Sequence, residues 1–399
     1  MGDREAAIIK VVDSLSSVDA SVWDACANPG GEPHNPFVSH AFLSALEESG
    51  SATRRTGWLP QHILLEDGDG NLAGCMPMYL KNHSRGEYVF DHGWANAFEN
   101  AGGRYYPKLQ SSIPFTPATG PRLLTLPGPG REAAEDTLAA GAVEICKRHE
   151  ASSLHVTFLP ERQWTRLGDI GFLQRTDQQF HWLNRGYTTF DDFLSDLSSR
   201  KRKMIRKERE RAGDNDVSIE WVTGSDLTED HWDAFFVFYM DTGARKWGSP
   251  YLTREFFSLV GERMADDVLL VMARREGRLI AGALNFIGGD ALYGRNWGAI
   301  EHHPFLHFEC CYYQAIEFAI KRGLSRVEAG AQGEHKLARG YVPSRTYSVH
   351  WIANSSFREA VAEYLERERQ HVDRDIEVLG EYAPFRHDDG AKEQQEDDF

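Results

Sequence analysis

The chain has no apolar run approaching the ~20 residues that span a bilayer. DVLLVMA at 267–273 has only the length of a strand. The opening MGDREAAIIK carries charge within its first five positions and lacks an apolar core for a signal peptide. Ala6 breaks the myristoylation pattern. Cysteine is scarce and odd in number: Cys26, Cys75, Cys146, Cys310 and Cys311, with no CxxC spacing. That excludes a disulfide framework and a structural zinc site, and fits buried thiols in a reducing compartment. A soluble cytoplasmic protein is expected. There is no GxGxxG after a first strand and no GxxxxGK[ST], so dinucleotide and P-loop nucleotide sites are not expected. Positive charge is the minority, 44 Lys and Arg against 60 Asp and Glu, for a net charge of -16. This balance argues against a nucleic-acid coat protein or adhesion to anionic lipid, while leaving room for a local basic patch that binds phosphate.

What is present is ordinary globular composition: 399 residues, 41% hydrophobic, enough for two cores. Two stretches share an order of elements. In the first, NLAGCMPMYLKN (71–82) alternates like a strand, YVFDHGWANAF (88–98) reads as its hairpin partner, and AAGAVEICKRHEASSLHVTFL (139–159) reads as helix then strand. In the second, RLIAGALNFIGG (278–289), ALYGRNWGAI (291–300) and YYQAIEFAIKRGLSRVEAG (312–330) repeat that order. Ala73-Gly74 matches Ala281-Gly282, and AVEICKRH matches AIEFAIKRG. Residues 99–135 are an insertion rich in Pro and Gly, which forbids regular pairing and is expected to lie beside the active cleft.

Helical signatures over 227–247 and 252–265 precede a three-strand meander turning at Glu276-Gly277 and Gly288-Gly289-Asp290. Helices, antiparallel strands, a helix and one more strand make an α+β order, not a Rossmann order. Residues 355–379 read as a charged amphipathic helix. The predicted organisation is a first unit over 1–186, a second over 187–385, and an acidic, disordered tail over 386–399.

Charge, glycine and histidine crowd together in AGAQGEHKLARGY (329–341), at the end of a helix-then-strand pattern. Loops at the carboxyl ends of strands commonly carry chemistry, so Glu334, His335, Lys336 and Arg339 are candidates. Gly330, Gly333 and Gly340 would permit a sharp turn; a plain solvent-facing turn is the competing reading. RKRKMIRKERER (200–211) holds eight basic residues. On a helix Arg202, Arg206 and Arg209 would form a stripe suited to phosphates, unless Glu208 and Glu210 simply pair within a solvated helix. In the central hairpin Tyr293, Arg295, Asn296 and Trp297 would alternate, with Arg295 and Trp297 on one side and Asn296 on the other. Asp91, His92, Trp94 and Asn96 are the matching set in the first unit. These side chains would line a groove, or Trp94 and Trp297 would be core. His302, His303, His307 and Glu309 fit no familiar metal spacing and are read instead as capping a helix that starts near 306. Cys310 and Cys311 have nothing nearby in sequence to activate a thiol.

The paired order of elements, with VEAGAQGEHKLARGYVPSRTYSVHWI closing the second, resembles the Fem-type peptidyltransferases and more closely their FemAB-like branch, linked to peptidoglycan biosynthesis or recognition. The resemblance implies an α+β fold of two tandem units of the acyltransferase fold typified by GCN5-related N-acetyltransferases, each a mainly antiparallel mixed sheet flanked by helices. It implies an amine acceptor, small molecule or peptide, and an acyl donor, aminoacyl-tRNA or acyl-CoA, used as co-substrate with no bound cofactor. It assigns oxyanion stabilisation to Lys336, with His335 standing where the family has an aromatic neighbour. A basic helix resembling 200–211 opens the second unit in Fem-type proteins, which makes tRNA a candidate partner there. The coiled-coil arm of some relatives has no counterpart. The Q/RxxGxG/A turn of acetyl-CoA-dependent members is absent from both units, including GRNWGAIEHHP.

Acyl transfer to an amine needs donors aimed at the developing oxyanion and a base or solvent route for the proton. Lys336 and Arg339 would supply the positive end, with Glu334 or His335 as base. Glu328 is a second base, since burial makes a carboxylate more basic, unless it pairs with Arg326 or Arg339. The expected function is N-acyl transfer to an amine acceptor such as a cell-wall precursor. The alternatives are a non-catalytic module recognising such a precursor or a peptide, and an RNA-binding protein.

Overall fold

The computed structural model describes residues 7–246, 250–330 and 333–386. The first half contains strands β1 (Ile8–Val12), β2 (Trp58–Pro60), β3 (His62–Glu66), β4 (Leu72–Met76), β5 (Tyr79–Lys81), β6 (Lys108–Ser111), β7 (Leu124–Thr125), β8 (Ser153–Thr157) and β9 (Leu173–Leu183). Its helices are α1 (Ala20–Ala27), α2 (His40–Glu48), α3 (His92–Asn100), α4 (Arg131–Arg148) and α5 (Glu161–Asp169). The second half opens with α6 (Phe190–Asp196) and α7 (Ser199–Ala212), then β10 (Ser218–Val222), α8 (Glu229–Lys246) and α9 (Arg254–Met264). It continues with β11 (Val268–Arg275), β12 (Arg278–Ile287), β13 (Ala291–Ala299), α10 (Leu306–Phe308), α11 (Gln314–Arg322), β14 (Arg326–Glu328), β15 (Val342–Ile352) and α12 (Ser355–Glu381).

Local chemistry explains several boundaries. Ser39 and Thr253 accept the Phe42 and Phe256 amides at the starts of α2 and α9, and Thr189 with Asp192 closes a capping box on α6. Within β11 the run from Val268 to Ala273 is buried at every position, because helices cover both faces of this strand.

The repeat is present in three dimensions. A four-stranded sheet orders β1-β3-β4-β7, and the second half has the same arrangement in β10-β11-β12-β13. Gly74 and Gly282 occupy equivalent strands, β4 and β12. The segment 88–98, expected as the hairpin partner of β4, is instead α3 from His92 onward. Trp94 and Phe98, four apart, turn one helical face inward, where Phe98 stacks on Phe357 at 4.5 Å. The fourth strand of that sheet comes later, as the two-residue β7.

The larger sheet has eleven strands in the order β10-β11-β12-β13-β14-β9-β15-β8-β6-β5-β2. Its centre is an exchange. β9, which ends just before the expected 186/187 boundary, pairs antiparallel with β14, and β15 pairs antiparallel with β8. β9 and β15 also pair with each other, Val342 opposite His181 through His350 opposite Leu173. The halves interlock further through a shared core, in which Phe37 and Phe42 of the first half meet Phe286, Tyr293 and Phe256 of the second.

Candidate active site

The parallel pairing of β13 with β14 covers three positions and stops at Tyr293 opposite Glu328. β13 runs on to Ala299, so its edge on the β14 side opens into a split. On its other edge β13 carries a bulge: Asn296 opposes Leu284 and Gly294 opposes Asn285, leaving Arg295 as the extra residue. The bulge overturns the expected alternation. Trp297 packs with the core beneath α11, whereas Arg295 reaches the other way and donates from Nη2 to the Phe115 carbonyl of the first half at 2.8 Å. Asn296 is half-buried and makes no side-chain hydrogen bond among the described residues. The Tyr293 ring is closed into the shared core, 2% exposed, with its hydroxyl 3.4 Å from Arg326.

Part of the Pro/Gly insertion straps this site. Besides the Phe115 contact, the Thr119 amide lies 3.5 Å from Glu328 Oε2, and Gln179 donates to the Pro117 carbonyl at 2.9 Å. Glu328 is buried at the strand end and, of its two expected partners, takes Arg326, at 2.9 Å. Its other oxygen is 3.9 Å from His181.

The turn after β14 is built as its glycines suggest: φ is +76° at Gly330, +109° at Gly333 and +87° at Gly340. Glu334–Arg339 forms a 3₁₀ turn; the Glu334 side chain lies outside the described residues. Lys336 is 3% exposed and donates from Nζ to the Ala329 and Gly330 carbonyls, at 2.7 and 2.9 Å. An ammonium has three donors, so one remains. Burial pushes the Lys336 amine down to about 8. His335 turns towards α10 and the helical stretch after it, its Nε2 3.0 Å from the Tyr312 hydroxyl; burial first, then the charges of Arg339 and Lys336, lower its pKa.

Arg339 does not join Lys336 in one positive site. It is 5% exposed, gripped by both Glu208 oxygens at 2.9 Å, donates to the His335 carbonyl at 2.7 Å, and lies over the Phe308 ring at 3.5 Å. Glu208 also accepts from Tyr313 at 2.5 Å. The pair nails α7 to the turn. Two of the three arginines of the expected phosphate stripe, Arg202 and Arg209, are engaged inward, while Arg206 stays exposed. Arg209 is ion-paired with Glu309 and Glu317 at 2.9 and 2.7 Å, Arg202 donates to the Leu197 carbonyl, and Arg206 pairs with Asp191 at 3.1 Å. The apolar Ile205 and Ala212 fix that rotation by pointing into the core. Arg200, Lys203, Lys207 and Arg211 form an exposed basic row, with the exposed Arg206 paired to Asp191 beside it.

At the far end of β13 lies a cavity of about 500 Å³ lined by Trp297, Ile300, His302, Phe305 and Phe308 among others. Phe305 has φ +65°, a left-handed backbone rare for a bulky side chain, and Arg211 sits 5.0 Å over its ring. No side chain caps the helix that begins at 306, so the histidines do not serve there; His303 bonds Glu301 instead, at 3.1 Å. Among the described residues no three His, Cys, Asp or Glu side chains gather as metal ligands would, and no helix is long and apolar enough to cross a membrane.

Some of what matters was invisible in the sequence. Asp91, expected to line a groove, is buried in a charge cluster with Lys108, Glu87 and Tyr105; Trp94 packs on His350 at 4.9 Å. Beside Arg295 the strap residue Phe115, which accepts its hydrogen bond, stacks on Tyr251 at 4.7 Å.

The molecule is two units of the N-acyltransferase fold, set in tandem and sharing one sheet, with the split strand at the junction of the halves. The model of the FemAB-like family, described as peptidoglycan biosynthesis/recognition, matches residues 14–387. The chain belongs to that family. Its fold is similar to that of FemX, at 13% identity and TM-score 0.54, over 89% of this chain and 100% of that one. It is likewise similar to L-PGS from Bacillus licheniformis, at 8% identity, TM-score 0.50, and 90% and 99% coverage. The C-terminal domain of a putative lysylphosphatidylglycerol synthetase from Agrobacterium fabrum aligns at 9% identity, TM-score 0.51, and 90% and 97% coverage. No curated protein matches the chain.

Proposed function

We propose that this FemAB-like protein is an N-acyltransferase that moves an acyl or aminoacyl group from a carrier, aminoacyl-tRNA or acyl-CoA, to an amine of a cell-wall precursor. The observation that carries the reading is the split between β13 and β14 with Lys336 buried at its rim. There the unpaired edge of β13 offers backbone donors and acceptors to an extended substrate, and a cation stands ready in a site where water screens it poorly.

In this reading the amine attacks the carrier's ester or thioester carbonyl, a C–N bond forms, and the carbonyl oxygen becomes negative. The Lys336 ammonium moves from the Ala329 and Gly330 carbonyls onto that oxygen. Collapse breaks the C–O or C–S bond, and the leaving group takes up a proton as the attacking amine gives one to solvent or to Glu328. The cavity past Trp297 accommodates the carrier's end, and the row Arg200, Lys203, Lys207 and Arg211 meets its phosphates.

The rival, a non-catalytic recognition module, draws support from one observation: Lys336, Arg339 and Arg209 are all engaged within the protein. Aminoacyl-tRNA labelled in the aminoacyl group and, separately, labelled acetyl-CoA, offered with a stem peptide bearing a side-chain amine, separate the two. Transfer by the wild type that disappears in Lys336→Ala, with peptide affinity retained, supports catalysis. No transfer by the wild type from either donor, with peptide still bound, supports recognition.

A further inference from the structure

A second cavity, of about 340 Å³, lies where the halves exchange strands, lined by α5 and β9 of the first and by β15 and α12 of the second. It shares no lining residue with the cavity past Trp297. Thr176, which lines it, is separated along β9 from His181, the residue opposite Glu328, by roughly 16 Å of extended strand. One wall is aromatic and fixed. Trp164 donates its indole N–H to the Arg175 carbonyl at 3.2 Å, and its own carbonyl accepts from Gln174 at 3.1 Å. Its ring lies 5.1 Å from that of Tyr347, tilted by 49°, and Tyr347 stands opposite Thr176 in the β9–β15 register. Thr176 is 4% exposed, and its hydroxyl has no hydrogen-bond partner among the described residues. Buried hydroxyls are nearly always paired, so one left open on a cavity marks a group for a ligand to complete.

The other wall is polar. Glu366, Arg369, Gln370 and Asp373 line the cavity from one face of α12, at i, i+3, i+4 and i+7. Asp373 pairs with Arg345 at 2.7 Å, and Arg369 gives one of its five donors to the Gln174 carbonyl. The Glu366 and Gln370 side chains make no hydrogen bond or ion pair among the described residues. The balance of charge then selects the ligand. Glu161, Glu366 and Asp373 oppose an anion in this cavity, while Arg345 and Arg369 oppose a cation. A neutral ring with hydroxyls at its edge and C–H groups on its faces answers both walls at once. Its hydroxyls both donate and accept along α12 and at Thr176, and its C–H face covers the aromatic pair. The volume stands at the small end of ligand sites, with room for a single such ring and its substituents.

We propose that this cavity is a saccharide site, which takes one neutral pyranose ring on Trp164 and Tyr347 and holds its hydroxyls with Thr176, Glu366 and Gln370. The inference stands apart from the transfer reading, and its test needs no acyl donor. Saturation-transfer NMR on the full chain uses glucose and N-acetylglucosamine as neutral sugars, with glucosamine and glucuronate as their charged counterparts. At least one neutral sugar is expected to bind, with transfer strongest to its ring C–H protons, and the charged ones about tenfold more weakly. Binding of both neutral sugars marks a general hexose site, and of N-acetylglucosamine alone an amino-sugar site. Trp164→Leu is expected to weaken binding about tenfold, and Glu366→Ala, Gln370→Ala and Thr176→Val each by roughly threefold to fivefold. Thr176→Val should keep Tm at or above wild type, since the hydroxyl it removes has no partner, and Arg206→Gln, on α7, should leave binding unchanged. The Glu366 and Gln370 variants decide the matter if Trp164→Leu fails to fold. No neutral sugar bound by the wild type, tighter binding of a charged one, or equal binding by the folded variants overturns the proposal. Sugar binding intact in a chain that never transfers an acyl group counts against the transfer reading alone.

Discussion

Replacing Arg339 by Met separates a structural arginine from a substrate-binding one. The side chain is 6% exposed and its partner Glu208 9%, so truncation leaves a carboxylate buried with Tyr313 as its one remaining side-chain partner among the described residues. Breaking a buried pair in this way typically costs about 3–5 kcal/mol, because the surviving charge keeps its desolvation penalty and loses its compensation. The lost contact with the Phe308 ring acts in the same direction. For an interlocked chain of 399 residues unfolding as one unit, the expected fall in Tm is roughly 4–6 °C. Scanning calorimetry with urea titration measures it. Glu208→Met combined with Arg339→Met removes both charges and is expected to recover most of the loss. A Tm within about 2 °C of wild type, together with weakened acceptor binding, would refute this reasoning and return Arg339 to the binding site.

Gly298→Ala places a Cβ 2.2 Å from the Phe238 backbone of α8, so destabilisation of at least about 1–3 kcal/mol is expected by thermal melting. Burial pushes Lys81 down to about 7. The folded state therefore binds fewer protons than the unfolded one between pH 7 and the ordinary lysine range, and stability should rise with pH through that window. Lys81→Met should flatten that slope in urea titrations at several pH values, and an unchanged slope would contradict the assignment. Charge reversal of Lys203 and Lys207 to Glu should reduce use of a phosphate-bearing carrier and its salt dependence without shifting Tm, whereas Arg209→Met should lower Tm because it frees buried Glu309.

The legible parts of the fold were those written in local periodicity. The β11-β12-β13 meander, helices α4, α8, α9, α11 and α12, and the glycine-built turn at Lys336 all follow from spacing and turn chemistry. The exchange of β9 and β15 was not legible, because a strand's period says which face is buried and not which neighbour it joins. The segment 88–98 misled because its first aromatics alternate, while Trp94 and Phe98 obey a helical spacing. Arg202, Arg206 and Arg209 share a helix face as expected, but rotation is set by Ile205 and Ala212, and the apolar demand outranked the charges. The bulge at Arg295 left no trace in composition, so its separation from Trp297 required coordinates.

The most direct measurement is the pH profile of kcat/KM for transfer, wild type against Lys336→Arg. With the buried ammonium stabilising the oxyanion, activity should fall as pH rises through about 8, and that falling limb should be missing in Lys336→Arg. Activity that keeps rising through that pH, or the same profile in both proteins, would contradict the role assigned to Lys336.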